Sequence, residues 1–417
     1  MRVRTGNGPS RWPVPPLLHG IYLPRSMDAA AFAMTTYGIP LLVLATTHSA
    51  TLTGLAFALE WAPRLMAFAA AGALVDRHGT TRVFRLAATA RATLVLAAAL
   101  LLQAQTDGPG ETITVMMLAA GSGVLTEFSY IAAETAGGLA SRTDGTPAHR
   151  VQSVLLGIDQ TATLAGPALA GLLLNHTGAT GMLAAAAAFS LLAAALAPPR
   201  IARRHTDQLT TSPTTAHQGL RTGWQTLRSL PTLGWLVAGL TLSNLAIGFL
   251  QAAVPVIVVQ EFGQSSAGVG LLWSAAAAAS LIAVALCRRA IDRYGMWPVG
   301  AVSAAIAASA FLALSLAHTY AAYLALIAVV MAGESGMTVV LRTLRSPLIP
   351  ADVFGSTLAL TILLLLLPFP IAGLLVAVVP SGQLGHAISV CAVLQAVGLA
   401  TAFTRLRTLP GLHPSAL

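Results

Sequence analysis

Twelve apolar stretches, each long enough to cross a lipid bilayer as a helix, account for most of this 417-residue chain. A helix rises about 1.5 Å per residue, so it needs about 20 apolar residues to span the hydrocarbon core. The stretches, which we call segments 1 to 12, run over 25–47, 51–75, 83–105, 112–138, 151–174, 178–197, 232–259, 267–290, 297–317, 319–341, 354–379 and 384–405. The sequence therefore predicts an all-α integral membrane protein with 12 transmembrane helices.

Composition argues for lipid as the natural solvent of this chain. Charged residues make up 9% of the sequence and hydrophobic residues 56%, whereas a soluble domain carries roughly 25% charged residues. The formal net charge is +9, but its arginines flank the apolar segments. We therefore expect the lipid bilayer, and no nucleic acid, to be the partner of this basic charge.

Arginines occupy alternate connections between the segments. They follow segments 2, 4, 8 and 10 and are absent from the connections after segments 1, 3, 5, 7, 9 and 11. Loops rich in arginine are retained in the cytoplasm during insertion. The pattern predicts a multi-pass protein of the cell inner membrane whose tails, 1–24 and 406–417, are both cytoplasmic. The stretch 1–24 lacks the apolar core of a signal peptide.

The chain divides into two similar halves. The stretch 198–231 is rich in proline, threonine and arginine, which predicts a cytoplasmic linker between a six-helix half at 25–197 and another at 232–405. An offset of 216 residues places Asp76 on Asp292, Arg77 on Arg293 and Asp28 on Asn244. Two such pseudo-repeats joined by a long loop are typical of secondary transporters.

The connection after segment 2 carries a compact charged motif, GALVDRHGTTR, at 72–82. It resembles the loop motif of the major facilitator superfamily, and its matching residues are Gly72, Leu74, Asp76, Arg77, Gly79 and Arg82. Thr80 and Thr81 depart from the basic residues common there. The resemblance implies a fold of 12 helices and a loop that locks the outward-facing state by pairing across the halves. Asp76 and Arg77 would carry that role, with Asp292 and Arg293 as a reduced second copy.

Segment 5 contains a second motif, Gly166-Pro167-Ala-Leu-Ala-Gly171. It is similar to the element found in the fifth helix of drug–proton antiporters, and the region looks most like exporters of the enterobactin-exporter type. A weaker resemblance links Arg25-Ser-Met-Asp28 to ferroportin-like metal exporters. The alternative is an ordinary packing helix, because Pro167 bends a helix and glycines allow close contact between helices.

Several ionisable residues fall inside the apolar segments, where each costs several kcal/mol unless it is paired or faces water. They are Asp28, Glu60, Arg64, Arg91, Glu127, Asp159 and Glu334. Glu60 and Arg64 are four residues apart and share a helix face, which predicts a pair that neutralises itself. Arg91 is the expected partner of Asp28 or of a carboxylate of segment 4, and the sequence does not choose between them.

The same acids are candidates for a substrate and proton site. Glu127 and Tyr130 lie on one helix stripe, and desolvation favours the neutral form of a carboxyl group, as proton coupling requires. Glu127 is therefore the preferred coupling residue, unless Arg91 or Arg64 merely neutralises it. In the superfamily, helices 1, 4, 7 and 10 line the cavity and helix 5 often contributes. The resemblance thus adds Asp28, Asn244, Glu334 and Asp159 to the site.

Two rival functions find little support. Gly333-Glu334-Ser335-Gly336 contains the nucleophile motif of intramembrane proteases, but His386 lies at the other side of the membrane and the repeats do not fit that fold. His176, His318 and His386 would share the periplasmic face without the spacing of a metal site. A Walker motif for ATP is absent from the sequence. We expect no enzyme activity, no cofactor and no bound metal.

The sequence thus favours a monomeric, proton-coupled exporter that works by alternating access. Acids outnumber bases among the intramembrane residues, which favours cationic or metal-chelating cargo. Resemblance indicates a siderophore or related metabolite as the small-molecule substrate. A broad multidrug antiporter and a ferroportin-like exporter of divalent metal are the alternatives, and an intramembrane enzyme is a remote one.

Overall fold

A computed structural model describes residues 17–104, 109–143, 148–198, 216–350 and 353–408, and these form an almost entirely helical bundle. Six membrane helices make up the N half, and we number them α1 to α6: Leu18–Thr47, Ala50–His78, Thr80–Ala104, Pro109–Thr143, 148–177 and 179–196. A linker helix, α7, covers Ala216–Ser229. The C half comprises α8 to α13: Pro231–Glu261, Ser266–Tyr294, Met296–Leu314, Tyr320–Leu348, 354–378 and Leu384–Leu406.

The prediction of an all-α fold with 12 membrane helices is confirmed. Ten spans of the described chain are long and apolar enough to cross a membrane, and one of them, Gly157–Leu196, covers both α5 and α6. The twelfth helix, α2, carries Glu60 and Arg64 near its middle. Gly178 separates α5 from α6 with a φ of 71°, a conformation that favours glycine.

Three boundaries differ from the sequence prediction. Helix α1 begins at Leu18, not at residue 25, because Ile21 and Tyr22 are buried against Leu155 of α5. The predicted linker 198–231 contains the helix α7. Helix α12 is interrupted at Leu367, because the following proline lacks a backbone N–H and cannot continue the hydrogen-bond ladder.

The two halves share one core at one end of the bundle and have separate cores at the other. We call the end where α1 begins and α13 ends the basic end, since it carries the arginines of the loops. At the opposite end, a single apolar cluster joins residues of both halves. At the basic end, the N half and the C half each have a cluster of their own. A cleft between the halves therefore opens toward the basic end.

Glycines bring the halves into backbone contact at the opposite end. A Cβ on Gly54 of α2 would lie 2.5 Å from the amide nitrogen of Ala377 and 2.6 Å from the carbonyl oxygen of Gly373, both on α12. On the other flank, a Cβ on Gly270 of α9 would meet the carbonyl oxygen of Pro167 on α5. The first part of α12, by contrast, packs against α7 and α8 of its own side. The seal between the halves thus lies at the opposite end.

Candidate functional site

Asp28 is the centre of a buried charge network in the N half. Arg91 of α3 donates to its Oδ1 at 2.5 Å, and Arg25 donates to its Oδ2 at 2.9 Å. Arg25 also donates to Asp159 of α5 at 2.7 Å. Of the two partners that the sequence leaves open for Arg91, the structure shows Asp28. Arginines from two helices thus occupy both oxygens of Asp28.

Other polar and aromatic groups surround this network. Arg91 has no exposed surface and also donates to the Ser190 hydroxyl at 3.0 Å. The Arg25 guanidinium lies 4.8 Å from the centre of the Tyr130 ring, which places Tyr130 beside the network and away from Glu127. Asp159 retains 27% exposure of its side chain. It is therefore the member of the network that a ligand in the cleft can reach.

A groove of about 510 Å³ runs between α1 and α5 on the basic side of the bundle. Its lining consists of small and apolar residues with two hydroxyl groups, those of Ser26 and Thr161. Ile158, next to Asp159 in sequence, also lines it. The groove therefore has a mainly apolar wall.

A second set of charges lies on α2 and α4. Arg64 donates to Glu127 at 2.6 Å. The alternative in which Arg64 neutralises Glu127 is therefore confirmed, and the predicted pairing of Glu60 with Arg64 is wrong. Glu60 instead accepts a hydrogen bond from the Thr36 hydroxyl at 2.9 Å, and its second carboxyl oxygen is buried without a partner. Gly123 explains how α4 comes within reach, because a Cβ there would collide with the backbone carbonyl of Glu60.

Aromatic rings surround Arg64 and connect it to the C half. Its guanidinium carbon lies 4.6 Å from the centre of the Trp61 ring and 5.1 Å from that of Phe32. Trp61 in turn stacks on Phe369 of α12, with ring centres 4.3 Å apart and planes at 23°. A second contact between the halves joins Tyr37 to Trp273 at 5.4 Å. An aromatic layer thus closes the inner end of the cleft.

Among the described residues, the C half holds one buried carboxyl group. Glu334 of α11 accepts hydrogen bonds from Ser243 of α8 and, at 2.6 Å, from Gln395 of α13. Asn244, the predicted cavity residue, donates to the backbone oxygen of Leu365 at 2.7 Å and is not a partner of Glu334. The four ion pairs of the described residues all lie in the N half.

The charged motif ends one helix in each half. Gly79 follows α2 with a φ of 84°, and Gly295 follows α9 with a φ of 85°, as expected for pseudo-repeats with left-handed turns. Gly72 has open space around its Cα. The charged residues of the motif whose side chains are described are exposed, namely Arg77, Arg82, Asp292 and Arg293. The side chain of Asp76 lies outside the described part of the structure.

The segment 5 motif lies where α5 meets two other helices. Gly166 packs against Ala33 of α1, and Gly171 packs against the backbone of Ser266 at the start of α9. Both glycines admit a neighbouring helix that a larger residue would push away. Pro167 contributes its carbonyl to the contact with Gly270. The motif therefore belongs to the seal between the halves as well as to packing within the N half.

The comparisons with known proteins agree with this architecture. The profile of the Major Facilitator Superfamily matches residues 25–373. The chain belongs to the major facilitator superfamily. No curated protein sequence matches this superfamily member, whereas many solved structures do.

Three solved structures illustrate the likeness of fold. A bacterial homologue of the iron transporter ferroportin, in an inward-facing state, is 16% identical with a TM-score of 0.70, over 93% of this chain and 98% of that one. A bacterial homologue of the human lysosomal transporter Spinster, also inward-facing, is 13% identical with a TM-score of 0.69, over 94% and 96%. The inward open xylose transporter XylE from E. coli is 15% identical with a TM-score of 0.69, over 95% and 97%.

Several residues of the site were not predicted from the sequence. Thr36, Phe369 and Gln395 carry no motif, and only the fold brings them to Glu60, Trp61 and Glu334. The spacing of Glu60 and Arg64, four residues apart, correctly indicated that both side chains lie on one face of α2. It could not decide between Glu60 and Glu127, 63 residues further along the chain, as the partner of Arg64.

Proposed function

We propose that this protein is a proton-coupled exporter of a small molecule that works by alternating access. The observation that carries the proposal is Glu60, a buried carboxyl group beside the Arg64–Glu127 pair at the closed end of the cleft. Its two oxygens have between them one hydrogen bond, from Thr36. A carboxyl group that is buried without an ion-pair partner is favoured in its neutral, protonated form.

The basic end of the bundle corresponds to the cytoplasm in this proposal. Arginines concentrate at that end, as they do in cytoplasmic loops. The cleft also opens there, and the three solved structures described above are likewise inward-facing or inward open in their own right. Both termini and α7 would then be cytoplasmic, in the inner membrane of the cell.

Arg64 provides a physical link between protonation and the seal. While Glu60 is neutral, Arg64 pairs with Glu127, and its guanidinium lies over Trp61, which stacks on Phe369 of the other half. When Glu60 loses its proton, it becomes a second anion one helical turn from Arg64 and competes with Glu127 for the guanidinium. Movement of Arg64 would then disturb the ring stack that joins the two halves.

The direction of coupling follows from this exchange. A proton that arrives at Glu60 from the periplasm stabilises the arrangement seen here, with the cleft open to the cytoplasm. Release of the proton to the cytoplasm frees Arg64 and favours closure around the cargo. One proton inward is thereby exchanged for one cargo molecule outward. Glu127 holds Arg64, so it is part of the device, whereas Asp28 is held by Arg25 and Arg91 in a separate network.

The cargo we propose is a siderophore or a related metabolite, which the excess of intramembrane acids and the resemblance of the motifs support. The groove between α1 and α5 supports the second candidate, an amphipathic drug-like compound, because its wall is mainly apolar. A divalent metal is less well supported, since arginines already neutralise Asp28 and Asp159.

The test uses inside-out vesicles with an acid interior and two probes, a catecholate siderophore and ethidium. We expect at least one probe to accumulate, and we expect nigericin, which collapses the pH gradient, to abolish accumulation. Vesicles that lack the protein serve as the control for background accumulation of each probe. Accumulation that persists after collapse of the gradient would exclude proton coupling, and transport of the siderophore alone would decide the cargo class.

A further inference from the structure

Three arginine–aromatic pairs lie at the basic end of the C half. In each pair a guanidinium lies over a ring: Arg228 over Trp224 at 5.1 Å, Arg293 over Tyr294 at 5.4 Å, and Arg405 over Trp235 at 5.9 Å. The pairs come from different elements, namely α7, α9, and the meeting point of α13 with α8. The three rings are exposed, with 43%, 60% and 37% of their surface accessible in the same order.

Helix α7 presents one of these pairs on an outward face. Its inner face packs on the C half, where Leu227 is buried and Gly223 lies against the backbone of Ser356 on α12. Arg221, Trp224 and Arg228 are three and four residues apart, so they lie on one stripe, and all three are exposed. Helix α8 enters the membrane region directly after it, at Pro231. The stripe therefore lies at the level of the membrane surface.

The charge of this region is strongly one-sided. The described arginines at the basic end of the C half are Arg221, Arg228, Arg289, Arg293, Arg342, Arg405 and Arg407. Asp292 is the one acidic residue among the described residues of that region. In the N half the arginine–aromatic contacts of the described chain are internal, since Arg25 and Arg64 are both buried. A basic rim with exposed aromatic rings is thus a property of the C half.

This chemistry matches the headgroup of an anionic phospholipid. Tryptophan and tyrosine favour the interface between hydrocarbon and water, and a guanidinium can bind a phosphate through two parallel hydrogen bonds. A ring beneath the guanidinium orients it and covers the adjoining glycerol and acyl region. We infer that the arginine–aromatic rim, formed by Trp224, Arg228, Trp235, Arg293, Tyr294 and Arg405, binds anionic phospholipid headgroups of the leaflet that contacts the basic end.

Such binding would anchor the C half at the membrane surface. Helix α7 packs on the first part of α12, Phe354–Leu366, which is separated from the N half by the cleft. Lipids held by α7 would therefore fix the C half while the N half moves against it. The identity of the leaflet as cytoplasmic rests on the proposed orientation, but the lipid preference itself does not.

The test measures the lipid shell of the purified full chain. Energy transfer from tryptophan to pyrene-labelled phosphatidylglycerol is compared with transfer to pyrene-labelled phosphatidylcholine in mixed micelles at fixed ionic strength. We expect a clear preference for phosphatidylglycerol, and we expect the variant Arg228→Gln, Arg293→Gln, Arg405→Gln to reduce that preference at least about fivefold. Both tryptophans of the rim remain in this variant, so the donor is unchanged.

A variant of the N half provides a control of equal charge. Arg77→Gln, Arg82→Gln, Arg85→Gln removes the same charge from exposed positions at the basic end of the N half, and we expect it to keep the preference. The single variant Arg228→Gln, at an exposed site, covers the case in which the triple variant fails to fold. An unchanged preference in the C-half variants, or an equal loss in the N-half control, would overturn the inference. The inference would also be overturned if inorganic phosphate, at matched ionic strength, abolished the lipid preference completely, because the rim would then recognise free phosphate.

Discussion

Arg91 shows how a single buried charge can organise a membrane domain. It has no exposed surface, and it joins α3 to Asp28 of α1 and Ser190 of α6. A lone charge in this position would cost several kcal/mol, and the partner supplies most of the compensation. Together with the Ser190 contact, the pair therefore holds three helices of the N half in one arrangement.

Removal of Arg91 should destabilise the protein by about 3 kcal/mol, because Asp28 would lose one of its two partners in a dry site. The measurement is thermal unfolding of Arg91→Gln in detergent, followed by tryptophan fluorescence. The double variant Asp28→Asn, Arg91→Gln should cost clearly less than the sum of the single variants, since neither charge is then left alone. Additive losses would show that the two side chains act independently and would contradict the assigned pairing.

The sequence could identify the buried charges but not all their partners. Asp28, Arg91, Glu127 and Glu334 stand out because a charge in an apolar segment is conspicuous against its neighbours. Partners are set by helix packing, and Thr36, Ser243 and Gln395 are ordinary polar residues in sequence. The error over Glu60 and Arg64 has the same origin, because helical periodicity describes one helix and says nothing of α4 beside it.

At the scale of helices, four glycines decide how the halves meet. Gly54 with Gly373, and Gly270 with Gly171, let α2 approach α12 and α9 approach α5 at the opposite end. Gly54 and Gly270 are related by the same offset of 216 residues as the charged motifs. The two flanks of the seal are thus built alike, as expected of two pseudo-repeats.

Gly54→Ala should weaken this seal without unfolding the N half. The added methyl group would lie 2.5 Å from a backbone nitrogen of α12, and such overpacking costs roughly 1–3 kcal/mol. We expect the population with a closed basic end to increase, as measured by the distance between spin labels on the two halves. Gly385→Ala is the matched control, because open space surrounds that glycine. An equal response of the two variants would contradict the role of Gly54 in the seal.

The whole molecule is a pair of halves joined at one end and parted at the other. Hydropathy, the arginine pattern and the repeat were sufficient to predict the 12 helices and their division into two halves. The direction of the cleft was not predictable, because the proposed mechanism requires the same sequence to adopt conformations open to either side. The linker helix α7 was missed for another reason: its apolar face is short, and it is formed by residues such as Leu227 that pack on α12.

The charged loop after α2 should act on the balance between these conformations. The resemblance assigns Asp76 to a lock that forms when the basic end is closed, and Asp76→Asn should therefore favour an open basic end. The same spin-label distance reports the change, with Asp292→Asn as the equivalent change in the second copy. If Asp76→Asn shifted neither this distance nor transport, the lock would have to be assigned elsewhere.

The central claim is that Glu60 carries the coupled proton, and a distance measurement across the cleft as a function of pH tests it without knowledge of the cargo. Spin labels at Leu86→Cys and Thr404→Cys, both exposed near the basic end, are placed in a chain whose native cysteines are replaced, Cys287→Ala and Cys391→Ala. Glu334→Gln serves as the matched control in the other half.

At low pH we predict long distances between the two spin labels, which indicate an open basic end. As pH rises and Glu60 ionises, the population with a short distance should increase. Glu60→Gln mimics the protonated carboxyl group and should remain open at every pH, whereas Glu334→Gln should respond as the unmodified chain does. A pH response that survives in Glu60→Gln and disappears in Glu334→Gln would contradict the account and assign the proton to the C half.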